Sequence, residues 1–259
     1  MIKTWDSNGD SPVPALTKVD FAAPVPRPLP GEQMCEYLER LRTTLDTSTF
    51  QVKQAIDEPG VYIGKRKILC PAGSQAALLT LAGTVFYHVV VYVKEADNAK
   101  VIALDFGPVG ADITANLAEA VPAGPILQDP ADLTARGGGE LPLLRACAPQ
   151  LPLNHPRVQE ALEFAQGRAY HALANNCIST SDFLVRVLTN GVVRGAPLVF
   201  DALCGHAAAQ DSPLLLMFML MTQLSWFDVC DGSRLAAAFL QHRVAQGGAA
   251  DEQKTGAKP

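Results

Sequence analysis

Two residues of this chain have the chemistry of a nucleophile and its base: Cys177, which follows Asn175 and Asn176, and His88, which lies in the run Val85-Phe86-Tyr87-His88-Val89-Val90-Val91. Attack by cysteine requires the thiolate. A helix N-terminus and a nearby imidazole are the two usual means of lowering a thiol pKa. Both are foreshadowed here. Asn176 is a good N-cap, Ser181 and Asp182 fall near the first turn, and Leu184, Val187 and Leu188 recur at helical spacing. Asn190-Gly191 then supplies a stop signal. His88 sits among β-branched and aromatic residues that predict a strand over 85–93, bounded by Gly83 and by the polar stretch 94–100.

A third polar group commonly orients the imidazole by accepting from its second nitrogen. Residues 101–107 read as the return strand of a hairpin, which makes Asp105 the candidate. Side chains alternate across a strand, so a slip of one residue in that hairpin would turn Asp105 away. Taken singly, a buried cysteine and a strand histidine are ordinary core residues. Their combination with the Asn-Asn-Cys context is what singles them out. The other histidines after Cys177, His206 and His242, lie in Ala/Leu-rich stretches that read as helix, so the order histidine before cysteine is favoured.

A strand histidine, a hairpin and a distant Asn-Asn-Cys opening a helix resemble the circularly permuted papain-like proteins: the LRAT-like acyltransferases, the PPPDE peptidases and relatives of the NlpC/P60 hydrolases. The run from Tyr170 to Cys177 is similar to their Tyr-x-x-x-x-Asn-Asn-Cys approach, and the likeness covers residues 61–191. It departs after the nucleophile, where those families usually carry a histidine or an aromatic and this chain has Ile178, Ser179 and Thr180. The resemblance implies an α+β fold with a small antiparallel sheet packed against helices. It also implies an acyl-enzyme on Cys177 with His88 as base and Asp105 as orienting group, and substrate-binding roles for Tyr170 and Asn176. The substrate would be a peptide, an isopeptide or a lipid ester. Neither a cofactor nor a metal is implied. The rival expectation is a catalytically inactive scaffold that serves as an interaction or membrane-surface protein, because fold does not fix function.

Composition sets the frame for these residues. With 259 residues, 48% of them hydrophobic, the chain can bury a sizeable core. A net charge of -5 argues against nucleic acid as the main partner. The one compact basic run, Lys65-Arg66-Lys67, reads as a solvated turn between strands. Cysteines at 35, 70, 147, 177, 204 and 230 form no Cys-x-x-Cys pair, unlike a disulfide scaffold or a zinc module. Cys204-Gly205-His206 offers two metal ligands with nothing nearby to complete the set. Scattered free cysteines suit a reducing, cytoplasmic setting, and the first residues lack the apolar run of a secretory signal.

The chain divides into a Pro-rich arm (1–30), a papain-like α+β domain (31–195), an apolar helical C-terminal extension (196–246) and a disordered tail (247–259). Within the domain a helix is expected near Gly31, with Met34, Leu38 and Leu41 on one side. Further helices are expected over 111–121 and 156–167, a short strand over 125–128 and a glycine-rich loop over 135–139. In the extension, residues 212–227 form an uncharged stretch of 16 residues. That is short of the roughly 20 needed to span a bilayer. It is expected to pack in the core or against a second copy, although LRAT-like proteins often carry a hydrophobic C-terminal anchor and a membrane surface is the competing contact.

Overall fold

The computed structural model describes residues 21–32, 36–37, 39–40, 50–67, 87–96, 100–109, 120–130, 140–146, 148, 150–171, 174–204 and 230–246. Met34, Leu38 and Leu41, most of the expected helix over 111–121, the loop 135–139, the Gly205-His206 pair, the apolar stretch 212–227 and the tail lie outside them.

The architecture is α+β. Among the described residues, six strands form one antiparallel sheet: β1 (Phe50–Lys53), β2 (Gly60–Lys67), β3 (Tyr87–Lys94), β4 (Val101–Leu104), β5 (Leu127–Gln128) and β6 (Glu140–Ala146), in the spatial order β1-β6-β2-β3-β4-β5. Four helices follow among the described residues: α1 (Pro156–Gln166), α2 (Cys177–Leu188), α3 (Ala196–Cys204) and α4 (Ser233–Ala245). β3 is the strand expected around His88. Its β-branched side chains fit a pleated surface that is buried on both faces. Val89, Val91 and Val93 join the large core with Val61, Ile63, Leu104 and the helices, whereas Val90 and Tyr92 join a second cluster with Tyr62, Ala103 and Leu143. The two clusters follow from the period of two along a strand.

The basic run at 65–67 is not a turn. It is the end of β2, where Lys65 pairs with Val89 and Arg66 with His88. Alternation sends the two side chains to opposite faces. Lys65 is buried with its ammonium 5.1 Å from the Phe200 ring centroid of α3. Arg66 takes the face of His88, where its charge meets Asp105.

α2 is the central helix. It lies against β3, with Ser181 Oγ donating to the Val89 carbonyl at 3.4 Å, and is flanked by α1 and α4. Phe164 of α1, Phe183 of α2 and Phe239 of α4 meet pairwise with ring centroids 5.5 to 5.9 Å apart. The apolar face expected for α1, comprising Val158, Ala161, Leu162 and Ala165, is buried. Asp182 and Arg186 on α2 have fully buried side chains and form an i,i+4 pair at 2.9 Å. The Asp182 carboxylate also accepts from the backbone amides of Gly195, Ala196 and Gly232, while Arg186 donates to the carbonyls of Phe21 and Ala23 and to Asp231. One ion pair thereby ties the start of α3, the approach to α4 and the residues at 21–23 to the helix that begins at Cys177.

Of the helix expected over 111–121, Ala120 and Val121 are described, and Val121 is extended: its amide and carbonyl exchange hydrogen bonds with Tyr170 at 2.8 Å each. Pairing across the chain holds Val121 in place of a helical turn. The short strand expected over 125–128 is represented by Leu127–Gln128, paired with β4.

Candidate active site

Local structure aims the cysteine. Asn176 has an extended backbone, and its Oδ1 accepts from the amides of Ile178 and Ser179 at 2.8 and 2.9 Å. The Ser179 hydroxyl returns the contact by accepting from the Asn176 amide at 3.2 Å, closing a capping box. Asn175 does a different task. Its side-chain amide donates to the Ala169 carbonyl, and its backbone carbonyl accepts from His171, which closes the turn between Tyr170 and the helix. The consecutive asparagines thus start α2 and fix its approach. Asn176, expected to touch substrate, is buried with its Oδ1 committed to the cap rather than presented to a ligand.

Cys177 therefore stands at the first residue of α2, where the unpaired amides and the helix dipole favour a negative charge. Its sulfur is hydrogen-bonded to His88, to the Tyr170 hydroxyl and to the backbone amide of Val89. His88 is one residue inside the start of β3. Its Nε2 bonds the Asp105 carboxylate Oδ1, which leaves Nδ1 for the thiol. The observed register of the hairpin, with Lys94 opposite Val101 and Val91 opposite Leu104, continues to put Asp105 opposite Val90 and on the face of His88. The structure brings Cys177, His88, Asp105 and Tyr170 together, each at most 5% exposed.

Electrostatics follow from the contacts. Burial works against a charged imidazole, yet the Cys177 thiolate and the Asp105 carboxylate outweigh it and push His88 up to about 9. Burial likewise opposes the thiolate, but the His88 charge, the His88 hydrogen bond and the Val89 amide hold Cys177 below the usual cysteine range. Asp105 is held low against burial by His88 and Arg66. Tyr170 is raised, by burial first and then by the adjacent thiolate, so its hydroxyl stays protonated and can donate. Both shifts act in the direction of a thiolate beside an imidazolium.

Two further residues shape the site. Arg66 Nη2 reaches Asp105 Oδ2 at 3.2 Å. Gly107 comes so close to the imidazole that a β-carbon there would lie 3.3 Å from His88 Cε1. Neither stands out in the sequence by type. Val61-Tyr62-Ile63 is a strand signal, however, and continuing its alternation past Gly64 separates Arg66 from Lys65 by face.

Among the described residues no group of His, Cys, Asp and Glu is arranged to hold a metal ion. No family model, curated protein or solved structure matches the chain.

Proposed function

We propose that this protein is a cysteine-dependent hydrolase or acyltransferase with a permuted papain-like fold, working through an acyl-enzyme on Cys177. The observation that carries the reading is the continuous hydrogen-bonded line from Asp105 through His88 to Cys177 at the first residue of a capped helix. In this reading the thiolate attacks a carbonyl carbon. The oxyanion is received by the Cys177 amide and the Tyr170 hydroxyl, which already face one another without substrate. Imidazolium at His88 gives its Nδ1 proton to the leaving group, then takes a proton from the water or acceptor that releases the acyl group. Asp105 fixes the tautomer by holding Nε2–H. Peptide, isopeptide and lipid-ester carbonyls all satisfy this chemistry.

The second reading is a scaffold that retains the arrangement without turnover. It is favoured by the burial of the thiol, which is only 3% exposed. A short pulse of iodoacetamide at neutral pH, read by mass spectrometry on folded protein, separates the two. The enzyme reading expects Cys177 to be alkylated well ahead of Cys230, whose thiol burial pushes up, and expects His88→Ala to slow the reaction. Labelling of Cys177 no faster than of Cys230 supports the scaffold.

A further inference from the structure

Arg66 extends the line of charge by one member. Asp105 is 2% exposed, and its two carboxylate oxygens face different partners: Oδ1 meets His88 Nε2, and Oδ2 meets Arg66 Nη2. Arg66 stands directly opposite His88 in the β2–β3 ladder, so strand register delivers it to this place. Its side chain is 14% exposed, and its Nε is buried without a hydrogen-bond partner among the described residues. From Arg66 to Cys177 the charges alternate: guanidinium, carboxylate, imidazolium, thiolate. A buried row of this kind tolerates ionisation only while each charge has an opposite neighbour.

We propose that Arg66 is a positioning residue for the Cys177–His88 pair, acting through Asp105: its guanidinium keeps the carboxylate ionised and turned toward His88. The inference rests on reading Cys177 and His88 as a working pair. With Arg66 neutralised, the row carries an excess negative charge, and the site takes up a proton to offset it. The thiolate is where that proton goes, because Asp105 and His88 still hold each other. Loss of the guanidinium therefore raises both titrations of the pair, the one that forms the thiolate and the one that discharges the imidazolium. The other ionisable groups around the row do not substitute for it. Tyr92 on β3 and Tyr170 before α2 are held protonated by burial, Cys230 at the approach to α4 is pushed up by burial, and Lys65 lies over Phe200 on the opposite face.

The test is a pH titration of thiolate ultraviolet absorbance, taken as the difference from Cys177→Ser, for the wild type, Arg66→Gln and Arg66→Lys. Arg66→Gln is expected to move both limbs upward by about one pH unit, the scale of a single close charge. Arg66→Lys should restore part of the shift, and in an Asp105→Asn background Arg66→Gln should shift the limbs by less. A damaged fold would behave differently, abolishing the imidazolium limb instead of displacing it. Wild-type protein with no thiolate below the ordinary cysteine range would sink the reading of the pair itself. A wild-type thiolate with limbs unmoved in Arg66→Gln would overturn the role of Arg66 alone. Should Arg66→Gln fail to fold, carbon-13 NMR of the wild-type aspartate carboxyls, assigned with Asp105→Asn, decides instead: the proposal requires Asp105 to titrate below the ordinary aspartate range, and titration within or above it refutes the proposal.

Discussion

Asp105, Asp182 and Arg186 survive burial at the centre of this protein because each is placed against an opposite charge, an amide or a carbonyl. For His88 the consequence can be followed with pH. Its folded value, about 9, lies above the ordinary 6.5, so the stabilisation it supplies is complete below pH 6.5 and is lost as pH rises through about 9. Cys177 runs the other way: its folded value is lowered, so its contribution is present above the ordinary value of 9.0 and is lost as pH falls through the lowered one. The pair should hence persist across neutral pH. Between pH 6.5 and 9 the two slopes offset, because the pair holds one proton whether folded or unfolded, so wild-type denaturant midpoints should stay level across that window; a steep fall through it that His88→Gln lacks would mean that His88 is charged beside a neutral thiol. Tyr170 makes a separate point, because its hydroxyl touches both the sulfur and the amide of Cys177. Tyr170→Phe keeps the ring that packs on Phe106 and removes the hydroxyl proposed to receive the oxyanion. Acylation by an activated ester, followed as the burst of its leaving group, should slow by about 100-fold, with thiolate absorbance retained.

At the scale of elements, α2 is held by a few polar contacts of long sequence separation. Asp182→Ala would leave the Arg186 guanidinium buried with one carboxylate fewer and three backbone amides without their acceptor. A loss of about 3–5 kcal/mol is expected from breaking a buried pair on one side, measurable by urea unfolding. A change below about 1 kcal/mol, the scale of an exposed pair, would show that the network is slack. These contacts also mark where sequence reasoning stops. The cap at Asn176, the stop at Asn190-Gly191 with positive φ at both residues, and the apolar face of α1 were legible because each depends on neighbours within a turn or two. So was the hairpin that carries Asp105, although only the observed register settles which way Asp105 faces. β6 was not legible. It slots between β1 and β2 although it follows β5 in the chain, a pairing set by long-range packing with no local signature. Arg66 was misread for the same reason: a Lys-Arg-Lys run looks like a wet turn until the partner strand is known.

Over the whole molecule, the helices and the sheet share one continuous core, and the residues ahead of the first strand enter it. Phe21 is fully buried, meeting Phe183 and Phe239 edge-on with centroids 6.3 and 6.4 Å away. Val25 donates its amide to Asp231, and the Phe21 and Ala23 carbonyls receive Arg186. Among the described residues no helix is long and apolar enough to cross a membrane. The proline-rich stretch around 23–30 thereby joins the packing of α2 and α4, while its prolines keep it extended and unable to pair as a sheet strand. Removing residues 1–25 should cost more than trimming a loose arm would. Phe21→Ala alone leaves a cavity beside Phe183 and Phe239, for which about 3–5 kcal/mol is expected, and the truncation also strips two acceptors from a buried guanidinium. Because α2 carries Cys177, the damage should reach the site: as Phe21→Ala weakens the packing of the helix, the thiolate fraction at neutral pH should fall together with the unfolding midpoint. Thiolate absorbance measured alongside urea unfolding checks both. An unfolding midpoint that stays at the wild-type value in Phe21→Ala would show that the N-terminal residues lie on the core without supporting it.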